Sequence, residues 1–114
     1  PIRDIIYCDD VARGMLLAIG KGQGQAINLG SGIGCSIKEL AETICRAVDP
    51  KLKIQWDATK PSGDQKRLMD TKKARKILGF KPQVDLYRGI QETIKWYMNN
   101  KSKMPKRYDV FNTI

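Results

Sequence analysis

Residues 28–36 read "NLGSGIGCS", three glycines at alternate positions after the short apolar run "AINL" and ahead of a segment with helical spacing. A glycine-rich turn between a strand and a helix N-terminus is how a dinucleotide-binding βαβ unit cradles a pyrophosphate. Asp57, closing the next strand-like run, even stands about where a ribose-binding acid would fall. Two features argue against that reading. The third glycine of G-x-G-x-x-G lets helix and strand pack closely, and the residue at that position is Cys35. The helix also starts late, behind its own Ser36, whose side-chain oxygen competes for the amides a pyrophosphate would need. The stretch is therefore expected to be a strand-to-helix turn that holds no cofactor.

Working outward, Ser36 and Glu39 form an S-x-x-E capping box, and Ile37, Leu40, Ala41, Ile44 and Val48 continue at helical spacing until Asp49-Pro50. Upstream, the β-branched run 2–8 predicts a strand. Asp9 and Asp10 then open a helix with Val11, Met15 and Ala18 on one face and Gly20 as its stop. Residues 26–29 read as a short strand. Downstream, "LKIQW" at 52–56 alternates as a strand, "DATKPSGDQ" is a polar loop, and "KRLM" at 66–69 is a second extended piece. Asp70 or Thr71 caps a short helix in which Ala74, Ile77 and Leu78 point inward and Gly79 closes. Asp85 opens the last helix, whose stripe is Leu86, Ile90, Ile94 and Tyr97. The order β-α-β-α-β-β-α-α is α/β, with few short strands, about four helices and a small sheet whose edges are exposed.

At 114 residues the chain holds one domain, and its opening proline, already inside a strand-like run, is read as the mark of a piece of a longer protein. Histidine is absent, which removes Ser-His-Asp, Cys-His and HExxH chemistry from this segment. Three cysteines without CxxC spacing make structural zinc and a disulfide framework unexpected and suit a reducing cytoplasm. No apolar run approaches the ~18 residues of a membrane span. The net charge of +9 points to an anionic partner.

Several residues invite a catalytic reading that their positions do not favour. Tyr97 and Lys101 have the spacing of a Tyr-x3-Lys proton-transfer pair, but Tyr97 belongs to an apolar stripe and Lys101 to a helix end. Asp4, Asp9 and Asp10 suit capping, and Cys8 and Cys35 are expected to be buried apolar fillers.

Four stretches occur in order: "RDIIYCDDVARGMLLAI", "AINLGSGIGCSIKELAETI", "WDATKPSGDQKRLMDTKKARKILGF" and "DLYRGIQETIKWY". Together they resemble the C-terminal portion of the extended short-chain dehydrogenases/reductases, the NAD(P)-dependent nucleotide-sugar epimerases and dehydratases. The "TKPSGDQKRLMD" loop is most similar to the GDP-L-fucose synthase-like branch. The resemblance runs over nearly all of residues 2–100. It implies a small substrate-binding C-terminal domain over residues 1–100, with a basic tail at 101–114. The N-terminal Rossmann domain, which holds NAD or NADP and the catalytic groups, would lie outside it. The piece alone is then expected to bind no cofactor, to hold no catalytic residue and to be inactive.

The same resemblance places Arg3 at the arginine that contacts the nucleotide diphosphate, and Lys60 at the basic residue ahead of the x-x-G-D/T loop. The family pattern has an aromatic where Ile5 stands and a valine where Cys8 stands; both replacements are apolar. The chemistry suits these roles, because a guanidinium forks two donors onto phosphate oxygens while lysine brings a mobile point charge. Arg67 is a further candidate, though "QKR" at 65–67 also reads as a solvated run. The expected partners are a nucleoside-diphosphate sugar and the Rossmann domain, with a homodimer possible through unpaired strand edges. The rival class is a small basic nucleic-acid-binding or oligomerising module. It is weakened because Lys72, Lys73, Arg75 and Lys76 fall on the solvent side of one helix, and because Trp56, Trp96 and Tyr97 fall at core-like positions.

Overall fold

The computed structural model describes residues 1–103. One three-stranded sheet has the order β2-β1-β3, with β1 (Ile2–Asp4) in the centre. It runs antiparallel to β2 (Gly34–Ser36) and parallel to β3 (Lys66–Arg67). Helices α1 (Cys8–Lys21), α2 (Ile37–Val48) and α3 (Leu86–Asn100) complete the fold, α2 following β2 and packing against α3. A π-helical turn spans Ala74–Leu78, and Lys101–Lys103 form a 3-10 turn after α3. Only those three residues of the expected tail at 101–114 lie within the described residues.

The helix signals are realised in detail. Ser36 Oγ accepts the Glu39 amide at 3.0 Å and caps α2. Asp85 does the same for α3, taking the Arg88 amide at 2.9 Å. Ala74 and Leu78 are buried and Ile77 packs against them, as their spacing predicts. Gly79, in the left-handed conformation at φ 65°, returns its amide to the carbonyls of Ala74 and Arg75. Helix α1 runs one residue past the expected Gly20 and is closed by Gly22, whose amide bonds the Ala18 carbonyl at 2.8 Å.

The strands depart from expectation, and pairing is the reason. Residues 2–8 form a strand only to Asp4, because β2 pairs with Ile2–Asp4 and β3 with Ile2 and Arg3 alone. Cys8 already belongs to α1 and is exposed, a correction to its expected burial, whereas Cys35 is buried as expected. Residues 26–29 and 52–56 form no strand among the described residues. In the first run Ile27 and Leu29 pack against the core and the Ala26 carbonyl accepts Lys73 Nζ at 3.2 Å. Conversely, the end of the glycine stretch, expected to be all turn, pairs as β2.

The core is small. Ala74, Leu78 and Phe80 form its centre, with Ile6, Leu17, Ala18, Ile27 and Leu29 against them. Asp10, 2% exposed, ties α1 to the segment before α3. Its carboxylate accepts Arg13 Nη2 at 2.7 Å, the Val84 amide at 2.9 Å and the Gln83 amide at 3.0 Å. Arg13 completes the joint by donating to the Lys81 carbonyl at 2.6 Å and lying over the Phe80 ring.

Much apolar surface remains open. The stripes of α2 and α3, including Ile44, Val48, Ile90, Ile94 and Tyr97, line a cleft of about 580 Å³ floored by Ile5–Tyr7. On α1 the outward arc carries Met15, Leu16 (70% exposed) and Ile19 (84% exposed). Residues 14–20, "GMLLAIG", are uncharged on every side. A helix that is apolar all round is one built for burial on both faces. Trp56, Trp96 and Tyr97 are likewise more than half exposed or at that level, which corrects their expected core placement.

Candidate functional site

Arg3 occupies the middle of the central strand. Its register partners are Cys35 on β2 and Arg67 on β3, so Arg3 and Arg67 project from neighbouring strands on one face of the sheet. Arg3 Nη1 donates to its neighbour's carbonyl, that of Ile2, at 2.8 Å and to the carbonyl of Asp64 at 2.9 Å. Arg67 Nη2 is paired with the Asp64 carboxylate. The loop at 61–64 is thus tied to both arginines through Asp64, and Arg3 Nη2 lies 3.7 Å from where a Cβ on Gly63 would sit.

Of the three residues singled out in the sequence, Arg3 and Arg67 are brought together around Asp64. Lys60 lies on the same loop, exposed, and its side chain joins neither arginine through a shared hydrogen-bond or ion-pair partner among the described residues. Just ahead of it, Asp57 is engaged locally, accepting the Thr59 amide at 3.0 Å and the Thr59 hydroxyl at 2.6 Å. Those bonds hold its carboxyl below the usual range.

Asp4, next along β1, was expected to cap and instead joins distant segments. Its carboxylate accepts the Ser31 amide at 2.7 Å, the Ser31 hydroxyl at 2.6 Å, the Gly32 amide at 2.9 Å and the Met69 amide at 3.2 Å. Burial works to raise its pKa, but these donors outweigh burial and hold the carboxyl below its ordinary value. Asp4 therefore fastens the glycine stretch to the segment after β3, while Arg3 fastens the loop before it. Two adjacent side chains bracket the strand that carries Arg67. The partners of Asp4 are 27, 28 and 65 residues away, separations with no local sequence signal.

This geometry accounts for the glycines. The amides of Ser31 and Gly32, which in a nucleotide loop would face phosphate, face the Asp4 carboxylate. A Cβ on Gly30 would stand 2.7 Å from Met69 Cβ, and one on Gly34 2.8 Å from Ile2 Cγ2, so both positions require a bare backbone. Gly32 adopts φ 70°, a left-handed conformation. Tyr97 lies on the apolar cleft and Lys101 in the turn beyond α3.

Comparison with known proteins extends this picture. No protein-family model matches the chain. It is 39% identical over 101 residues to the probable GDP-L-fucose synthase 1 of Oryza sativa subsp. japonica, covering 88% of this chain and 30% of the rice protein. Its fold matches the UDP-glucose 4-epimerase of Thermotoga maritima, solved with UDP-glucose, at a TM-score of 0.79 and 28% identity, over 88% of this chain and 32% of the epimerase. The chain belongs to the extended short-chain dehydrogenases/reductases, as their C-terminal portion. The Bordetella bronchiseptica enzyme WbmF in complex with NADH is a further structural neighbour, with a TM-score of 0.76 and 31% identity over 90% of this chain and 31% of WbmF. The chain thus spans about a third of the length of the dehydrogenase/reductase relatives it matches. No helix among the described residues is long and apolar enough to cross a membrane.

Proposed function

We propose that this domain anchors the diphosphate of a nucleotide sugar for an NAD(P)-dependent epimerase, dehydratase or reductase whose chemistry takes place on a separate Rossmann domain. The observation that carries the reading is the pair of arginines on adjacent strands, Arg3 fixed at the sheet centre and Arg67 beside it. Two guanidiniums on one face offer the planar, forked donors that phosphate oxygens accept. Lys60, on the mobile-length side chain of an exposed loop, adds charge from the flank. The likeness to a GDP-L-fucose synthase favours guanine as the base and a hexose as the sugar.

In this reading the Rossmann domain covers the outer arc of α1 and the cleft between α2 and α3, and it holds NAD or NADP. The glycine stretch takes no part in that, because Asp4 occupies the amides of Ser31 and Gly32. Three free cysteines suit a reducing compartment such as the cytoplasm. Anchoring a diphosphate positions the sugar without taking part in bond making, so in the complete enzyme its loss raises KM far more than it lowers kcat.

Calorimetric titration of the chain with GDP tests the reading. Arg3→Ala is expected to weaken binding at least tenfold and Lys60→Ala by a smaller factor, with the circular dichroism spectrum unchanged. Equal affinity of wild type and Arg3→Ala would contradict the assignment. Tight, steeply salt-dependent binding of an oligonucleotide, with none of GDP, would favour the nucleic-acid module instead.

A further inference from the structure

Asp64 supplies acceptors to both arginines of the proposed site, its main-chain carbonyl to Arg3 and its carboxylate to Arg67. We propose that Asp64 is an internal competitor for the ligand, a carboxylate that a phosphate group must displace from Arg67 in order to bind. The inference rests on the diphosphate reading of Arg3 and Arg67 and deepens it by naming what sets the affinity of that site.

Three features support an exchange of acceptors. First, the ion pair is open to solvent on both sides, with Arg67 74% and Asp64 61% exposed, so water screens it and little holds it closed. Second, the contacts occupy one nitrogen of each guanidinium. Among the described residues, Arg3 donates only through Nη1 and Arg67 only through Nη2, leaving the remaining donors of each fork for an incoming anion. Third, a carboxylate and a phosphate present the same pair of oxygens to a guanidinium, so a phosphate can take over the position the carboxylate holds. The carboxylate and the ligand also carry like charge. Both effects make Asp64 oppose binding.

The opposite role is equally definite. If Asp64 served to order the loop for the ligand, neutralising it would weaken binding. The sign of one substitution separates the two. Asp64→Asn keeps size and removes charge, and it is expected to tighten GDP and inorganic pyrophosphate binding about two- to fivefold, the span that an exposed ion pair covers. The gain is expected to shrink when Arg67 is absent, because only the like-charge repulsion then remains; an equal gain in the Arg67→Ala background would show that Asp64 does not compete for Arg67. Unchanged or weaker binding by Asp64→Asn, with wild type still dependent on Arg3, overturns the competitor role and leaves the site standing. Failure of wild type and every variant to bind either ligand overturns both.

Discussion

Asp4 shows how much can rest on one carboxylate. It receives three amides and a hydroxyl from segments that share no local sequence with it. Asp4→Asn replaces an acceptor-only group by one that must turn an N–H toward those donors. The expected loss is about 1–3 kcal/mol of stability, read from urea unfolding. Asp10 is held in the same way, with burial opposed by Arg13 and by the Val84 and Gln83 amides, and its carboxyl also lies below the ordinary value. For both groups the folded pKa is below the unfolded one, so their stabilisation is complete above the unfolded value and is lost as pH falls toward the folded one. Urea midpoints are therefore expected to stay flat from pH 7 down to about 5 and to drop below about 4, with a smaller drop in Asp4→Asn. Arg3 was legible as a candidate through the family resemblance, and Arg67 as a cation of the run 65–67 whose guanidinium suits a phosphate. Asp4 acts through folded proximity, which no spacing records, and so does the Asp64 carbonyl, 61 residues from Arg3, although the Asp64 carboxylate reaches Arg67 within three residues.

At the scale of elements, helices were legible and strands only in part: β1 and β3 fall within the expected runs 2–8 and 66–69, whereas 26–29 and 52–56 form no strand among the described residues. A helix satisfies its hydrogen bonds within its own sequence, so caps and stripe suffice to locate it, as Ser36, Asp85 and Gly79 show. Ser36→Ala is expected to cost about 1 kcal/mol, measured by thermal or urea unfolding, because the Glu39 amide loses its acceptor. A strand needs a neighbour, and propensity only says that a segment would suit one. "LKIQW" alternates well yet has no partner among the described residues, while Gly34–Ser36, poor by propensity, pairs with the central strand. The glycine stretch is the sharpest case. Its pattern imitates a cofactor loop, but two of its glycines serve close backbone approach and its amides serve Asp4.

At the scale of the molecule, apolar surface is divided between a small finished core and two open faces. Leu78 is buried whereas Leu16, on the uncharged stretch of α1, is 70% exposed. Leu78→Ala is expected to cost about 2–5 kcal/mol, while Leu16→Asp is expected to change unfolding stability by no more than about 0.5 kcal/mol. A large loss in Leu16→Asp would show that the α1 face is already covered within this chain. The relatives are about three times as long as the matched region, and an apolar helix face with a neighbouring apolar cleft is the surface such additional structure would bury. The sequence showed these stripes as apolar; only the packed structure shows that nothing within the described residues closes over them.

The most direct test of the account is an amide-resolved NMR titration of the isotopically labelled chain with GDP, UDP and NAD at physiological salt. The account predicts that a nucleoside diphosphate shifts the amides of Arg3, Gly63, Asp64 and Arg67 and leaves Ser31 and Gly32 in place, with NAD shifting neither set. Shifts at Ser31 and Gly32 on adding NAD, with none at Arg3, would contradict it and return the glycine stretch to the cofactor.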